Sequence, residues 1–205
     1  MRKNWAALAL TGMLCLTTFA GTQTVSAETA DSAKQVDIVF THDTHSHLNT
    51  FTTIVDEAEK EVGGFARINT LIQEQKAKNP DTMVIDGGDF SMGTLIQTVF
   101  ETQAAEIRML GYMGCDVTTL GNHEFDYRSK GLANMLNSAA ESGDDLPAMV
   151  VCNVDWESME AAGLSEGQQL IRDAFDEYGV SDYVVLEKGD TDIAVVGVFG
   201  KDALA

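Results

Sequence analysis

Short apolar runs alternate with stretches of helical periodicity through most of the chain, the pattern of an α/β layered sheet. Val36 to Thr41 reads as a first strand. Phe65, Ile68, Leu71 and Ile72 then recur at helical spacing up to a stop at Asn79-Pro80. Met83-Val84-Ile85 is a second, wholly apolar strand. A helix is expected through Ala104, Ile107, Met109 and Leu110, broken near Gly111 and Gly114. Val117 to Leu120 reads as the third strand, Leu132, Met135, Leu136 and Ala139 as the next helix, and Ala148 to Cys152 as the fourth strand. Leu170, Ile171, Ala174, Phe175 and Tyr178 outline a further helix. Tyr183–Leu186 and Ile193–Phe199 read as strands joined through Lys188-Gly189-Asp190, a hairpin turn. The chain stops at Ala205, just after an apolar strand, so continuation beyond it is expected.

The first residues follow another logic. Arg2 and Lys3 precede an apolar run from Trp5 to Phe19, and small residues stand at Val25-Ser26-Ala27, the order of a secretory signal cleaved after Ala27. The run falls short of the roughly 20 apolar residues that span a bilayer. Gly12-Met13-Leu14 before Cys15 lacks the small residues of a lipoprotein cleavage site. The expected organisation is therefore a signal peptide at 1–27 and an exported, incomplete α/β domain at 28–205, with no later membrane span.

Charge narrows the partners. The net charge is −19, and Arg2 and Lys3 are the leader's only charged residues, so the remainder is more negative still. Such a surface repels nucleic acid polymers and anionic lipid. An anionic small substrate would need a local reversal of the field, which a pair of bound cations supplies. Cys115 and Cys152 are compatible with a disulfide or with two separate thiols, and neither sits in a zinc-type spacing.

The chemistry lies at the strand ends. The first strand runs into His42-Asp43-Thr44-His45-Ser46-His47, the second into Asp86-Gly87-Gly88-Asp89, and the third into Gly121-Asn122-His123-Glu124-Phe125-Asp126. Ligands of open α/β sheets bind outside the carboxyl ends of the strands. On an extended chain Asp43 and His45 leave the same face, offering oxygen and nitrogen to one divalent ion. Asp89 has two oxygens and can bridge two cations, with Gly87, Gly88 and Gly93 keeping its loop thin. Asn122 offers a neutral oxygen to the second ion. Zinc, manganese, iron or cobalt suit such a thiolate-free set. His123, diverging from its neighbour, is placed to stabilise charge or protonate a leaving oxygen, and Asp126 can fix its tautomer. Asn122 or Asp126 could instead cap a helix. His47 and Glu124 read as solvated loop residues.

Asp43-Thr44-His45, Gly88-Asp89 and Gly121-Asn122-His123-Glu124 resemble the signature of the calcineurin-like metallophosphoesterases. Gly63-Gly64-Phe65-Ala66-Arg67, Asp86-Gly87-Gly88-Asp89 with Gly93-Thr94, and Gly121 to Asp126 narrow the resemblance to the 5′-nucleotidase branch. That branch includes UDP-sugar hydrolases and 2′,3′-cyclic phosphodiesterases. The resemblance implies a layered metallophosphoesterase sheet and a nucleotide substrate. It also implies a two-metal site in which Asp43 and His45 bind one ion, Asp89 bridges, Asn122 binds the other, and His123 with Asp126 forms a catalytic dyad. His42 departs from the Asn usual before that Asp. A later Gly-His-x-His element is also implied, yet no histidine follows His123. The expectation is weak metal binding and poor turnover by this chain alone. Against the enzyme stands a noncatalytic exported binding module of the same fold. A glycine-loop phosphate binder is rejected, because Asp86 to Asp89 lacks the P-loop lysine.

Overall fold

The computed structural model describes residues 35–200. The expected leader at 1–27 lies outside them. The elements are β1 Ile38–Thr41, β2 Phe51–Val55, β3 Ala58–Val62, α1 Phe65–Lys78, β4 Met83–Asp86, α2 Phe100–Gln103, α3 Ala105–Tyr112, β5 Val117–Thr118, α4 Arg128–Ala140, β6 Ala148–Met149, α5 Trp156–Ala162, α6 Glu166–Tyr178, β7 Tyr183–Lys188 and β8 Thr191–Val196. Short 3-10 turns cover Leu95–Val99 and His123–Phe125.

Four strands form one parallel sheet in the order β1-β4-β5-β6. Each connection between neighbours carries helix, as parallel pairing requires. All four strands therefore point their carboxyl ends to the same edge. The expected α/β sheet flanked by helices is present. The core beside it gathers Phe65 and Ile72 of α1, Val84, Phe90, Phe100, Ile107 and Leu110, Leu132, Met135 and Leu136 of α4, and Ile171 and Phe175 of α6. A side chain as fully buried as Phe90 or Phe100 contributes about 2–3 kcal/mol through apolar area removed from water.

Local chemistry explains most boundaries. Helix α1 ends where Asn79 turns extended before Pro80. Leu71, which the spacing puts on its apolar face, is 60% exposed instead. The helix expected through Ala104 is two helices, because Ala104 takes a left-handed conformation (φ 46°) between α2 and α3. Helix α6 opens with a capping box of Ser165 and Gln168 and closes on Gly179 in the left-handed region. β5 and β6 are shorter than their apolar runs. Beyond Thr118, the Thr119 hydroxyl donates to the Val150 carbonyl, and the amides of Val151 and Cys152 donate to Ser181 and Gly197.

The β7–β8 hairpin appears where expected, turning through Gly189-Asp190. A second hairpin, β2–β3, turns through Asp56 and Glu57, both with positive φ. Its strands do not alternate apolar and polar residues and its turn lacks glycine, so periodicity gives little sign of it. Helix α5 is similarly silent, a seven-residue helix held by the Asp155 cap on Ser158. Cys115 is buried and Cys152 exposed, and both are free thiols. Among the described residues no helix is long and apolar enough to cross a membrane.

Candidate metal centre at the strand ends

The loops after β1 and β4 continue the parallel pairing past the strands. Gly87 donates to Thr41 (2.7 Å), Asp43 to Gly88 (3.1 Å), His45 to Asp89 (3.1 Å) and Ser46 to Phe90 (2.8 Å). The β1 loop is not extended, in contrast to the expectation for Asp43 and His45. Asp43, His45 and Ser46 have φ of 52°, 45° and 55°, and Asp89 answers with 52°. Such left-handed residues cost on the order of 1 kcal/mol each and persist where surrounding bonds over-determine them. The curl, not a strand pleat, brings Asp43 and His45 together.

Glycine lets the β4 and β5 loops approach. A Cβ on Gly121 would overlap the Asp89 carboxylate, and one on Gly88 would lie 2.6 Å from the Gly121 nitrogen. Glu124, expected as a solvated loop residue, is instead fully buried and locks these loops. Its carboxylate accepts from the amides of Asp89 (3.0 Å), Ser91 (3.1 Å) and Gly121 (2.7 Å), and from the Ser91 hydroxyl (2.7 Å). Burial pushes its carboxyl upward, and these four bonds oppose that shift. Asp86 is buried behind the loops and accepts from Thr41, Gly88 and Thr118 at 2.7, 3.0 and 3.1 Å, its pKa also raised by burial. The spacing of the motifs marks neither carboxylate as a brace. A glutamate or aspartate inside a glycine-rich turn after a strand is the signal that could do so.

One ligand atom each from Asp43, His45 and Asp89 lies within 4.8 Å of the others, a group able to hold a cation. The His45 Nδ1 meets the Ser91 carbonyl at 3.3 Å. With its proton there, Nε2 keeps its lone pair for a metal. The Asn122 amide lies against Asp89: its NH2 donates to Asp89 Oδ2 at 3.2 Å and its oxygen accepts from the His123 amide at 3.3 Å in the orientation that satisfies both. The donor set is oxygen and nitrogen without thiolate, and it fits a borderline or hard divalent ion. Asn122 stands at the N-cap of the 3-10 turn, and the Asp126 carboxylate is taken by His123.

His123 donates its backbone amide to Asp89 Oδ1 (2.9 Å), and its ring stands edge-on to His45 with centroids 4.9 Å apart. Its Nδ1 meets Asp126 Oδ2 at 2.9 Å. That hydrogen bond, more than the charges of Asp126, Asp89 and Glu124, raises the pKa of the imidazole. The pairing leaves Nε2 outside the bond and favours the proton-bearing form. His42 pairs with the exposed Asp43 carboxylate at 3.2 Å, and His47 turns back to the Thr44 carbonyl. The structure thus brings Asp43, His45, Asp89, Asn122, His123 and Asp126 to one edge and leaves His47 aside.

Comparison with known proteins bears on the family and the fold. Over 107 residues the chain is 33% identical to a probable 5′-nucleotidase of Treponema pallidum, covering 50% of this chain and 18% of that one. Over 187 residues it is 29% identical to a 5′-nucleotidase-related protein of Glossina morsitans morsitans, covering 87% and 32%. The crystal structure of a 5′-nucleotidase precursor from Thermus thermophilus superposes with a TM-score of 0.62 at 26% identity, covering 82% of this chain and 29% of that one. The chain thus spans less than a third of the length of each. The family model for the calcineurin-like phosphoesterase matches residues 36–197, and with the converging donors on that span the chain belongs to the calcineurin-like phosphoesterase family.

Proposed function

We propose that this chain is the metal-binding part of an exported two-metal phosphoesterase that hydrolyses nucleotide phosphate esters, in the manner of a 5′-nucleotidase. The observation that carries this reading is the meeting of Asp43, His45 and Asp89 donor atoms within 4.8 Å at the ends of β1 and β4. The relatives named as 5′-nucleotidases support the choice of substrate class. The Arg2–Ala27 pattern supports export.

In this reading Asp43 and His45 would hold one ion, Asn122 a second, and Asp89 would serve both. Two divalent ions would supply Lewis-acid charge to a phosphoryl group and acidify water. The chain's own residues do the rest. Ser91 fixes the His45 tautomer, and Glu124 holds the Asp89 and Gly121 amides so that Asp89 and Asn122 stay in register. Asp126 orients His123 through Nδ1 and leaves Nε2 to serve a departing ester oxygen. No histidine follows His123, so the second ion has few nitrogen donors here and binds weakly to this chain alone.

The test is phosphate release from AMP by protein made from the complete reading frame, with and without chelator. Release that chelator abolishes and manganese or zinc restores, and that His123→Ala slows about a hundredfold or more, is the expected result. Folded, metal-loaded protein that releases no phosphate from AMP would overturn the substrate assignment. Failure to bind metal at all would overturn the whole reading.

A further inference from the structure

Behind the site, on α3, Glu106 is wholly buried and takes no part in the chemistry above. Its Oε1 accepts from the Ser46 hydroxyl at 2.6 Å, and among the described residues its Oε2 has no hydrogen-bond partner. Burial raises the pKa of its carboxyl, and the bond from Ser46 together with its own backbone amide opposes that shift.

Ser46 is the last of the left-handed residues of the β1 loop. Its amide donates to Phe90 (2.8 Å), its carbonyl accepts from the Thr94 hydroxyl (2.7 Å), and its side chain reaches inward to Glu106. Asp43, His45 and Ser46 together hold a conformation that the isolated chain disfavours. The first two present donors to the cation site. The third turns its side chain inward to Glu106.

We propose that Glu106 is a positioning residue that pins Ser46 and thereby keeps Asp43 and His45 aimed at the metal centre. It acts through the backbone, without touching metal or substrate. This deepens the metal reading and rests on it for its purpose.

The first measurement is amide hydrogen exchange of the metal-free full chain. Glu106→Leu keeps the volume and removes the acceptor. Ser46→Ala keeps Glu106 and removes the donor. Each is expected to speed exchange at the His45 and Ser46 amides about tenfold or more, leaving Leu132–Ala139 of α4 unchanged. Glu106→Gln, whose amide oxygen still accepts from Ser46, is expected to restore protection. A cobalt(II) titration should then show Glu106→Leu binding about ten- to a hundredfold more weakly than wild type, with Glu106→Gln close to wild type. Unchanged exchange in both deletion variants overturns the proposal, as does equal acceleration across α4, which would mark a general packing role. If wild type binds no cobalt while the exchange pattern is as expected, the metal reading fails and the pinning of the loop stands.

Discussion

Two buried glutamates stand behind the same strand-end site, and they are satisfied in opposite ways. Glu124 gathers three amides and a hydroxyl, all donors, around one carboxylate. Among the described residues Glu106 has one hydroxyl donor, that of Ser46, and one oxygen without a hydrogen-bond partner. Burial raises the pKa of both, yet only the first has the donors that an anion requires. Equal exposure therefore does not mean equal partners. Glu124 clamps backbone amides, and Glu106 pins a side chain.

Replacement of Glu124 should have the largest effect. Glu124→Ala strands the amides of Asp89, Ser91 and Gly121 at once, and a buried donor left unpaired costs about 1–3 kcal/mol. Allowing for some entry of water, a loss of about 3–5 kcal/mol in urea unfolding is expected. Glu124→Gln turns an NH2 group toward amide donors and should still cost about 2 kcal/mol. A Gln variant as stable as wild type would remove the anion from the comparison.

The same isosteric change at Glu106 should be mild, below about 1 kcal/mol, because the amide oxygen replaces the acid oxygen facing Ser46. Glu106→Leu, which deprives the Ser46 hydroxyl of its acceptor, should cost about 1–2 kcal/mol. If Gln were as damaging as Leu at this position, Glu106 would be acting as an anion after all. The contrast between the two Glu→Gln changes is therefore sharper than either measurement alone.

Much of this molecule is legible in the residue pattern. The parallel strands, the major helices and the delivery of Asp43, His45, Asp89 and Asn122 to one edge follow from apolar runs ending in polar clusters. The braces do not, for a physical reason. Glu124 and Glu106 owe their roles to backbone amides and a hydroxyl supplied by other loops, and periodicity carries no information on those partners. Glu124 even sits in the motif, between His123 and Phe125, where a water-facing residue would look the same. The curl at Asp43–Ser46 is equally hidden, since nothing in Asp-Thr-His-Ser announces three left-handed residues without glycine. The β2–β3 hairpin is silent for a related reason: Asp56-Glu57 is not a pair that marks a tight turn.

The smallest effect separates the two carboxyls by acid–base behaviour. A carboxyl whose folded-state pKa is raised contributes stability that is complete below its ordinary value of about 4.3 and is lost as pH rises through the raised value. In that window the folded protein binds more protons than the unfolded chain, so stability falls with pH. For Glu106 the slope can reach at most about 1.4 kcal/mol per pH unit, and Glu106→Gln cannot titrate. Urea midpoints of wild type and Glu106→Gln, followed from about pH 4 to pH 8, should therefore diverge, the wild type losing ground as pH rises. Parallel curves for wild type and Glu106→Gln would mean that Glu106 is ionised alike in the folded and unfolded protein. The difference drawn between the two glutamates would then have to rest on hydrogen bonding alone.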